Sequence, residues 1–486
     1  MRSGMARLSL AVPAILALLI VSAVFAGSVL PTPISEDPYT NSSSQHRTQV
    51  EPDSFAFGTT IVAVSQSGRF YSGGGASDII FSTSTDSGRH WVTGGLPGTT
   101  VYATPPGPWP RISDPAIAYD PLRNVWLALG LGIDSGGSGH ILLVNRSTDG
   151  GLTWSNPVTA AESPGTFWDK TWITCDTWAA SPHYGNCYIE WDNAGGGNVM
   201  QMITSTDGGL TWGPIRTPAG SPSGLGGQPV AQPNGNVVVP FTQNYNGIAA
   251  FSSTDGGATW SNAVTVSSQT PHPVAGGLRD TPVPSAEVDG AGRVYVVWHD
   301  CRFRSGCSSN DIVMSSSADG VTWSSTVRIP IDPTSSTVDH FLPGIGVDRA
   351  TSGGAAHLAV GYYYYPVSNC FGNCQLTFGF ISSVDGGATW SAARQVSAPM
   401  DLTWLPDTTL GLMVGDYTST SFTSDGKAHP VFALAKALDG GQFRERLATA
   451  TFDVTTPPTS KPVASEPEKA AGRPRLRAKA RYPKAY

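Results

Sequence analysis

Four charged residues recur at one place in a repeating pattern. Arg111, Asp280, Asp339 and Asp416 each stand nine residues ahead of an aspartate that opens a tight turn: Asp120, Asp289, Asp348 and Asp425. Arg279, His340 and Tyr417 adjoin them, and Asp169-Lys170 heads a similar segment. Carboxylates can give and take protons, and arginine or lysine can hold an anion. A phenol, with an ordinary pKa of about 10, becomes a nucleophile only beside a base. The chain is 13% charged, against ~25% for an average globular protein, so this recurrence marks a candidate site. The plainer alternative is a set of polar strand ends facing water.

The elements that must position these residues are strands. Ala116 to Tyr119 runs through Asp120 into Val125-Trp126-Leu127, and Ser285 to Val288 runs through Asp289 and Gly292 into Val294 to Trp298. Downstream of most such hairpins comes the pattern S-x-D-x-G-x-T-W. Four full copies begin at Ser147, Ser205, Ser253 and Ser383; Ser84 to Trp91 has His90 for Thr, and Ser317 to Trp323 is one residue short. Ser and Asp side chains bond nearby backbone N–H groups in such a turn, Gly supplies positive φ, and Trp plugs an apolar gap. The boxes therefore read as structural. A hairpin plus the two strands flanking a box makes a four-stranded sheet, the unit of a β-propeller. The fold expected is all-β, a propeller of seven four-stranded blades, with six as the alternative. The seventh unit, Asp416 to Val454, lacks a box, and its outer strand is expected from the segment just before Glu51. In this topology the heads of the innermost strands and the loops between second and third strands converge on one rim of the channel.

A net charge of -7 implies no nucleic-acid partner for the body of the chain. Arg2 and Arg7 precede an apolar run from Leu8 to about Ala26, which reads as a signal peptide or an uncleaved N-terminal anchor. Either makes the body secreted or extracellular, with any membrane contact confined to that segment. Three close cysteine pairs, Cys175 with Cys187, Cys301 with Cys307 and Cys370 with Cys374, read as local disulfides, a metal site being the competing reading. The expected organisation is a signal or anchor at 1–26, a linker at 27–50, the propeller at 51–455 and a disordered, basic Pro/Ala-rich tail at 456–486.

The boxes and hairpins resemble those of the sialidase superfamily of glycoside hydrolases. That family holds a substrate carboxylate with three arginines, attacks with a tyrosine assisted by a glutamate, and uses an aspartate as acid/base. The resemblance implies Arg111, in Pro110-Arg111-Ile112-Ser113-Asp114-Pro115, as first arginine and Arg302 or Arg304 as second. It implies Asp134 as acid/base and Tyr417, which runs into Asp425-Gly426, as nucleophile, with Asp280 in the place of the glutamate. The pattern departs where aspartate replaces glutamate and where a third arginine is missing, a place Arg279 fills only by different geometry. Asp169, Lys170, Asp339, His340 and Asp416 complete the expected substrate-binding rim.

The function expected is a secreted, retaining exo-glycosidase acting on terminal, acidic sugars of glycans. The alternative is a noncatalytic propeller that binds glycan or protein at the cell surface. The chain carries no phosphate loop, zinc signature or G-x-S-x-G elbow, so no cofactor or metal is expected.

Overall fold

The computed structural model describes residues 30–454, all β apart from four short 3₁₀ turns. The expected signal or anchor (1–26) and basic tail (456–486) lie outside the described residues.

Successive side chains of a strand point to opposite faces, and here each face meets a neighbouring sheet. In Cys187–Asn193, Ile189 and Trp191 pack one way with Leu127, Leu129 and Leu142. Tyr188 packs the other way with Val237, Val239 and Phe251. Every residue of Ala76–Ser84, Val125–Ile133 and Asp339–Val347 is buried, the pattern of sheets covered on both sides.

Antiparallel sheets of four strands recur along the chain, as in Val230–Ala231, Val237–Gln243, Gly247–Ser253 and Val264–Ser268. One larger sheet of eight strands, from Gln49–Phe57 to Val158–Glu162, divides where its two halves meet at a single pair, Ala76 with Ile112. The sheet beginning at Asp169–Cys175 departs from the expected four. It has three strands, and only isolated bridges, Met202 with Arg216 and Val199 with Ser223, occupy its outer position.

The innermost strands pack side by side in a closed circuit. Gln49–Phe57 lies against Arg111–Asp120, followed by Asp169–Cys175, Val230–Ala231, Ser285–Val288, Asp339–Val347 and Ser419–Phe422, which returns to Gln49–Phe57. This is a β-propeller around a central channel. Within the stretch expected to be a linker, residues 30–50 are part of the fold. Thr32–Pro33 pairs antiparallel with Glu445–Thr449 and supplies the outer strand of the last sheet, Ile34, Asp37 and Thr48 are buried, and Gln49 already opens the first sheet. The missing strand thus comes from further upstream than the segment next to Glu51, because that segment is committed to the innermost position.

All six boxes form one turn. At Ser205 to Trp212, Ser205 Oγ donates to Asp207 Oδ1 (2.9 Å) and accepts from Gly209 N (2.9 Å), while Asp207 accepts from Leu210 N, Thr211 N and Thr211 Oγ1. The imperfect copy at Ser84 substitutes His90 Nδ1 for the threonine hydroxyl on Asp86, at 2.6 Å. The short copy at Ser317 keeps the Ser317 and Thr322 bonds to Asp319. At Asp149 burial is the largest single effect and raises the carboxyl, but the hydrogen bonds from Thr153, Ser147 and Leu152 together hold it down at about 2; at Asp319 the backbone bonds from Thr322 and Val321 lead and outweigh burial, again holding the group at about 2.

The three cysteine pairs are bonded as their spacing suggested. Cys301–Cys307 and Cys370–Cys374 brace loops between second and third strands, on the face where the innermost strands begin. Mass spectrometry of unreduced peptides is expected to find these three pairings and no free thiol; crossed pairs would reject the scheme. Asp207→Ala is expected to lower stability by on the order of 1 kcal/mol, since the lost bonds lie in a largely exposed turn, and to leave any turnover per folded molecule intact. Turnover lost at an unchanged melting temperature would contradict a purely structural box.

Candidate functional site

Three innermost strands interrupt their pairing close to the channel mouth, and each places a charged residue there in the left-handed region. Glu51 (φ 54°), Asp114 (φ 46°) and Lys170 (φ 49°) sit at register shifts in Gln49–Phe57, Arg111–Asp120 and Asp169–Cys175. Leu342 (φ 48°) does the same in Asp339–Val347. A bulge of this kind re-aims a side chain, and positive φ at a non-glycine residue costs about 1–3 kcal/mol. Repeated around a ring, it brings side chains into the channel that a regular strand would bury between sheets.

The result is a compact charged cluster. Lys170 Nζ lies 2.6 Å from Asp416, 3.3 Å from Asp114 and 3.6 Å from Asp169. Arg279 grips Asp416 through both Nε (2.6 Å) and Nη2, and Thr281 Oγ1 adds a third donor at 2.9 Å. Gln66 Nε2 donates to Glu51 and to Ser113 Oγ. Arg69, 2% exposed, donates to the carbonyls of Phe70 and Gly75 at 2.8 Å. Glu51, Arg69, Asp114, Asp169, Lys170 and Arg279 line a cleft whose walls include Gly73, Gly74, Gly137 and Phe167.

Burial and charge divide the protons. Burial would raise the Asp416 carboxyl, but Arg279 and Lys170 outweigh it and hold the group far below the usual carboxylate range. Burial works against the Lys170 ammonium, and Asp114, Asp169 and Asp416 more than compensate. Asp114 is raised by burial despite Lys170. Glu51 is raised by burial to about 8, against the opposing pull of Lys170. The cluster thus holds an ionised Asp416 next to Glu51, a carboxyl group that keeps its proton near neutral pH.

Of the residues expected from sequence, Asp169, Lys170, Arg279, Asp416 and Tyr417 come together here. Tyr417 is 8% exposed, lines the channel below the cluster with Lys170 and Asp416, and meets Trp172 edge to face. Its hydroxyl points to the Pro115 carbonyl at 3.5 Å. Burial, then Glu51, Asp114, Asp53 and Asp416, push its pKa well above 10.

The other expected residues stand elsewhere. Arg111 stacks on Phe70 and donates to the carbonyls of Ser72 and Gly74, bracing a loop at the cleft edge. Asp134 accepts from Gly136 N and Ser138 N and braces a second loop. Asp280 lies beside His299, raised by burial and by Asp339, rather than acting on Tyr417. Asp339 is held by Asn310, and His340 faces the Asn310 carbonyl. Arg302 is bound to Asp300, and Arg304 to Asp311 and Asp332. The arginines expected to hold a sugar carboxylate are therefore engaged with groups of the protein itself.

Counting nine residues back from the turn aspartates misses Glu51, Arg69 and Asp114. Counting six back finds Asp114 from Asp120, Lys170 from Asp176 and Leu342 from Asp348. Proline follows the bulge residue in Glu51-Pro52, Asp114-Pro115 and Leu342-Pro343, a second signal.

Residues 142–358 match a family model described as a BNR repeat-like domain. No curated protein matches the chain. Among solved structures, a Hadza microbial sialidase is 15% identical over 83% of this chain and 65% of its own, with a TM-score of 0.47. A leech intramolecular trans-sialidase is 13% identical over 89% and 71%, with a TM-score of 0.45. An α-L-arabinofuranosidase from Fusarium graminearum is 14% identical over 87% and 98%, also with a TM-score of 0.45. With one turn geometry in six Asp boxes and a BNR repeat-like match across residues 142–358, the described residues form an Asp-box β-propeller.

Proposed function

We propose that this protein is an exported glycoside hydrolase that removes terminal sugars from glycans, with its reacting groups at the mouth of a seven-bladed channel. The blade count takes the eight-stranded sheet as two units divided at the Ala76–Ile112 pair. Export is supported by the three local disulfides, which persist in oxidising compartments.

The observation that carries the reading is the coincidence of strained backbone and buried ionisable groups in one cleft. The strained backbone costs folding free energy, and both features are concentrated at the cleft, where perturbed ionisable groups mark candidate sites. The chemistry fits a retaining hydrolysis. Glu51 supplies the proton to the leaving oxygen as the bond to the anomeric carbon breaks. The Tyr417 oxygen bonds to that carbon, and its proton passes to Asp114, whose raised pKa makes the ionised form a better base. Water then delivers hydroxide to the carbon and a proton to Glu51, and Tyr417 recovers its proton from Asp114. Asp114 takes the role that sequence reading gave to Asp280, because the Tyr417 hydroxyl reaches the carbonyl of Pro115, the residue next to Asp114, and Asp114 is among the charges that raise its pKa.

A noncatalytic glycan-binding propeller is the second reading, favoured by the near-complete enclosure of Lys170 and Asp114, whose side chains are 4% and 2% exposed.

Purified protein is expected to release the fluorophore from at least one member of a panel of fluorogenic glycosides. Glu51→Gln and Tyr417→Phe should each lower kcat by at least ~10²-fold, the lower end for loss of a positioned proton donor or nucleophile, with melting temperatures little changed. Because Glu51 must be protonated to donate, activity should fall as pH rises through about 8, and Glu51→Gln should abolish that limb. Wild-type turnover in either variant removes that residue from the mechanism. A parent inert on every glycoside that it binds favours the noncatalytic reading.

A further inference from the structure

The loop between Leu358–Tyr365 and Gln375–Ser383 carries an aromatic side chain that nothing in the fold covers. Phe371, at its tip, is 89% exposed. A lone exposed apolar residue is ordinary, but this one is held ready. Cys370 and Cys374 are buried and joined, so the tip between them is tied down on both sides, and a tip fixed in advance gives up little freedom on binding. Asn369 and Asn373, both exposed, flank it. An aromatic face between two amides, each able to donate and to accept, matches a sugar, whose ring has an apolar face and a rim of hydroxyls.

The foot of this loop belongs to the ground that supports the charged cluster. Cys370 and Cys374 share one buried apolar cluster with Leu278, Leu342 and Val414. Leu278 adjoins Arg279, Leu342 is the bulge residue of Asp339–Val347, and Val414 lies two residues before Asp416. Gly276 packs so closely on Cys374 that a Cβ there would come within 3.0 Å of its Sγ. Arg279 follows three residues on, at most about 11 Å of chain. A single segment, residues 400–412, joins the loop to the cleft. Met400–Asp401 pairs with Leu376 and Gln375 at the end of the loop, and Trp404 lies half-buried against the same apolar cluster. Leu410 lines the cleft, and Thr409 N donates to the carbonyl of Tyr71, whose side chain is 54% exposed. Tyr71, Trp404 and Phe371 are thus carried by one connected stretch of the rim.

We propose that this stretch of rim binds the sugars that lie behind the terminal one, with Phe371 as the outer platform, so that a longer glycan chain is held better than a short one. The proposal rests on the cleft taking a sugar and extends that reading outward. A lipid surface is the other partner that an exposed aromatic suits, and an anionic one is drawn to lysine and arginine. Residues 366–374 carry no charge, and the charged residues of the 400–412 segment, Asp401 and Asp407, are exposed and acidic. The rim therefore favours a glycan.

The experiment compares disaccharides with tetrasaccharides of the same terminal sugar and linkage, ending in arabinofuranose, galactose or N-acetylneuraminic acid. Release of the terminal sugar is followed by chromatography, and binding by saturation-transfer NMR on the full chain. The expected result is a preference for a tetrasaccharide of at least about tenfold, in kcat/KM or, where nothing is released, in Kd. Phe371→Ala should remove most of that preference, chiefly through KM or Kd, and Phe371→Trp should keep it. Equal use of the two lengths, or a preference that Phe371→Ala leaves intact, would overturn this inference while leaving the glycosidase reading standing. Binding of tetrasaccharides that depends on Phe371, without release of sugar, would support the inference and count against the glycosidase reading. Failure of every sugar to bind or turn over would overturn both. Phe371-dependent sedimentation with phosphatidylcholine–phosphatidylglycerol vesicles, in place of tetrasaccharide binding, would assign the tip to lipid and overturn the inference.

Discussion

Neighbouring innermost strands of a propeller do not share a hydrogen-bond ladder, so the axis of the ring is held largely by side chains, with a few backbone bonds such as Glu51 N to Val414 O and Arg279 N to Leu412 O. Here the side chain that holds most is Asp416. It receives Arg279 and Thr281 from the segment leading into Ser285–Val288, and Lys170 from the strand Asp169–Cys175. A wholly buried carboxylate is costly unless paired and fully bonded. This one is satisfied only when three separate sheets have reached their places. The arrangement specifies the ring as much as it stabilises it, because an alternative stacking of similar sheets would strand the charge.

The same network sets the chemistry available at the channel mouth. Since Asp416 monopolises Arg279 and the shortest contact to Lys170, the remaining acids are left to burial. Glu51 and Asp114 therefore rise while Asp416 falls. Carboxyl groups driven apart in this way divide naturally into a proton carrier and a fixed charge. The backbone contributes too, because the left-handed bulge residues turn Glu51, Asp114 and Lys170 toward the channel at a cost that only the surrounding sheets can sustain.

The fold was legible in the sequence because its signals are local. Each box, turn aspartate and cysteine pair acts over a few residues, and the six box turns and three disulfides follow the spacing that announced them. The site was only half legible. Asp169, Lys170, Arg279, Asp416 and Tyr417 stood out through charge at strand heads. Glu51 and Arg69 belong to the first sheet, whose hairpin turn lacks the aspartate used for counting, and Asp114 was hidden by counting to the strand head instead of to the bulge. Arg302 and Arg304 were misleading for a physical reason: an arginine after a strand carries no mark showing that Asp300, Asp311 and Asp332 will absorb its charge. The role of 30–50 was missed because a two-residue strand, Thr32–Pro33, has no periodicity to read.

That short strand governs the order of folding. Thr32 pairs with Thr449, so the last sheet cannot acquire its outer edge until nearly the whole described chain has been made and every intervening sheet has stacked. Local hairpins form early, whereas this pairing closes a very long loop and must come late. Until then the edge of Glu445–Thr449 stays open to other chains, a hazard that ends when Thr32–Pro33 clasps it. The two ends of the ring also become neighbours in space. A chain cut at an exposed box turn and rejoined across the clasp would keep every sheet it now has, with its point of entry into the fold moved elsewhere on the circle.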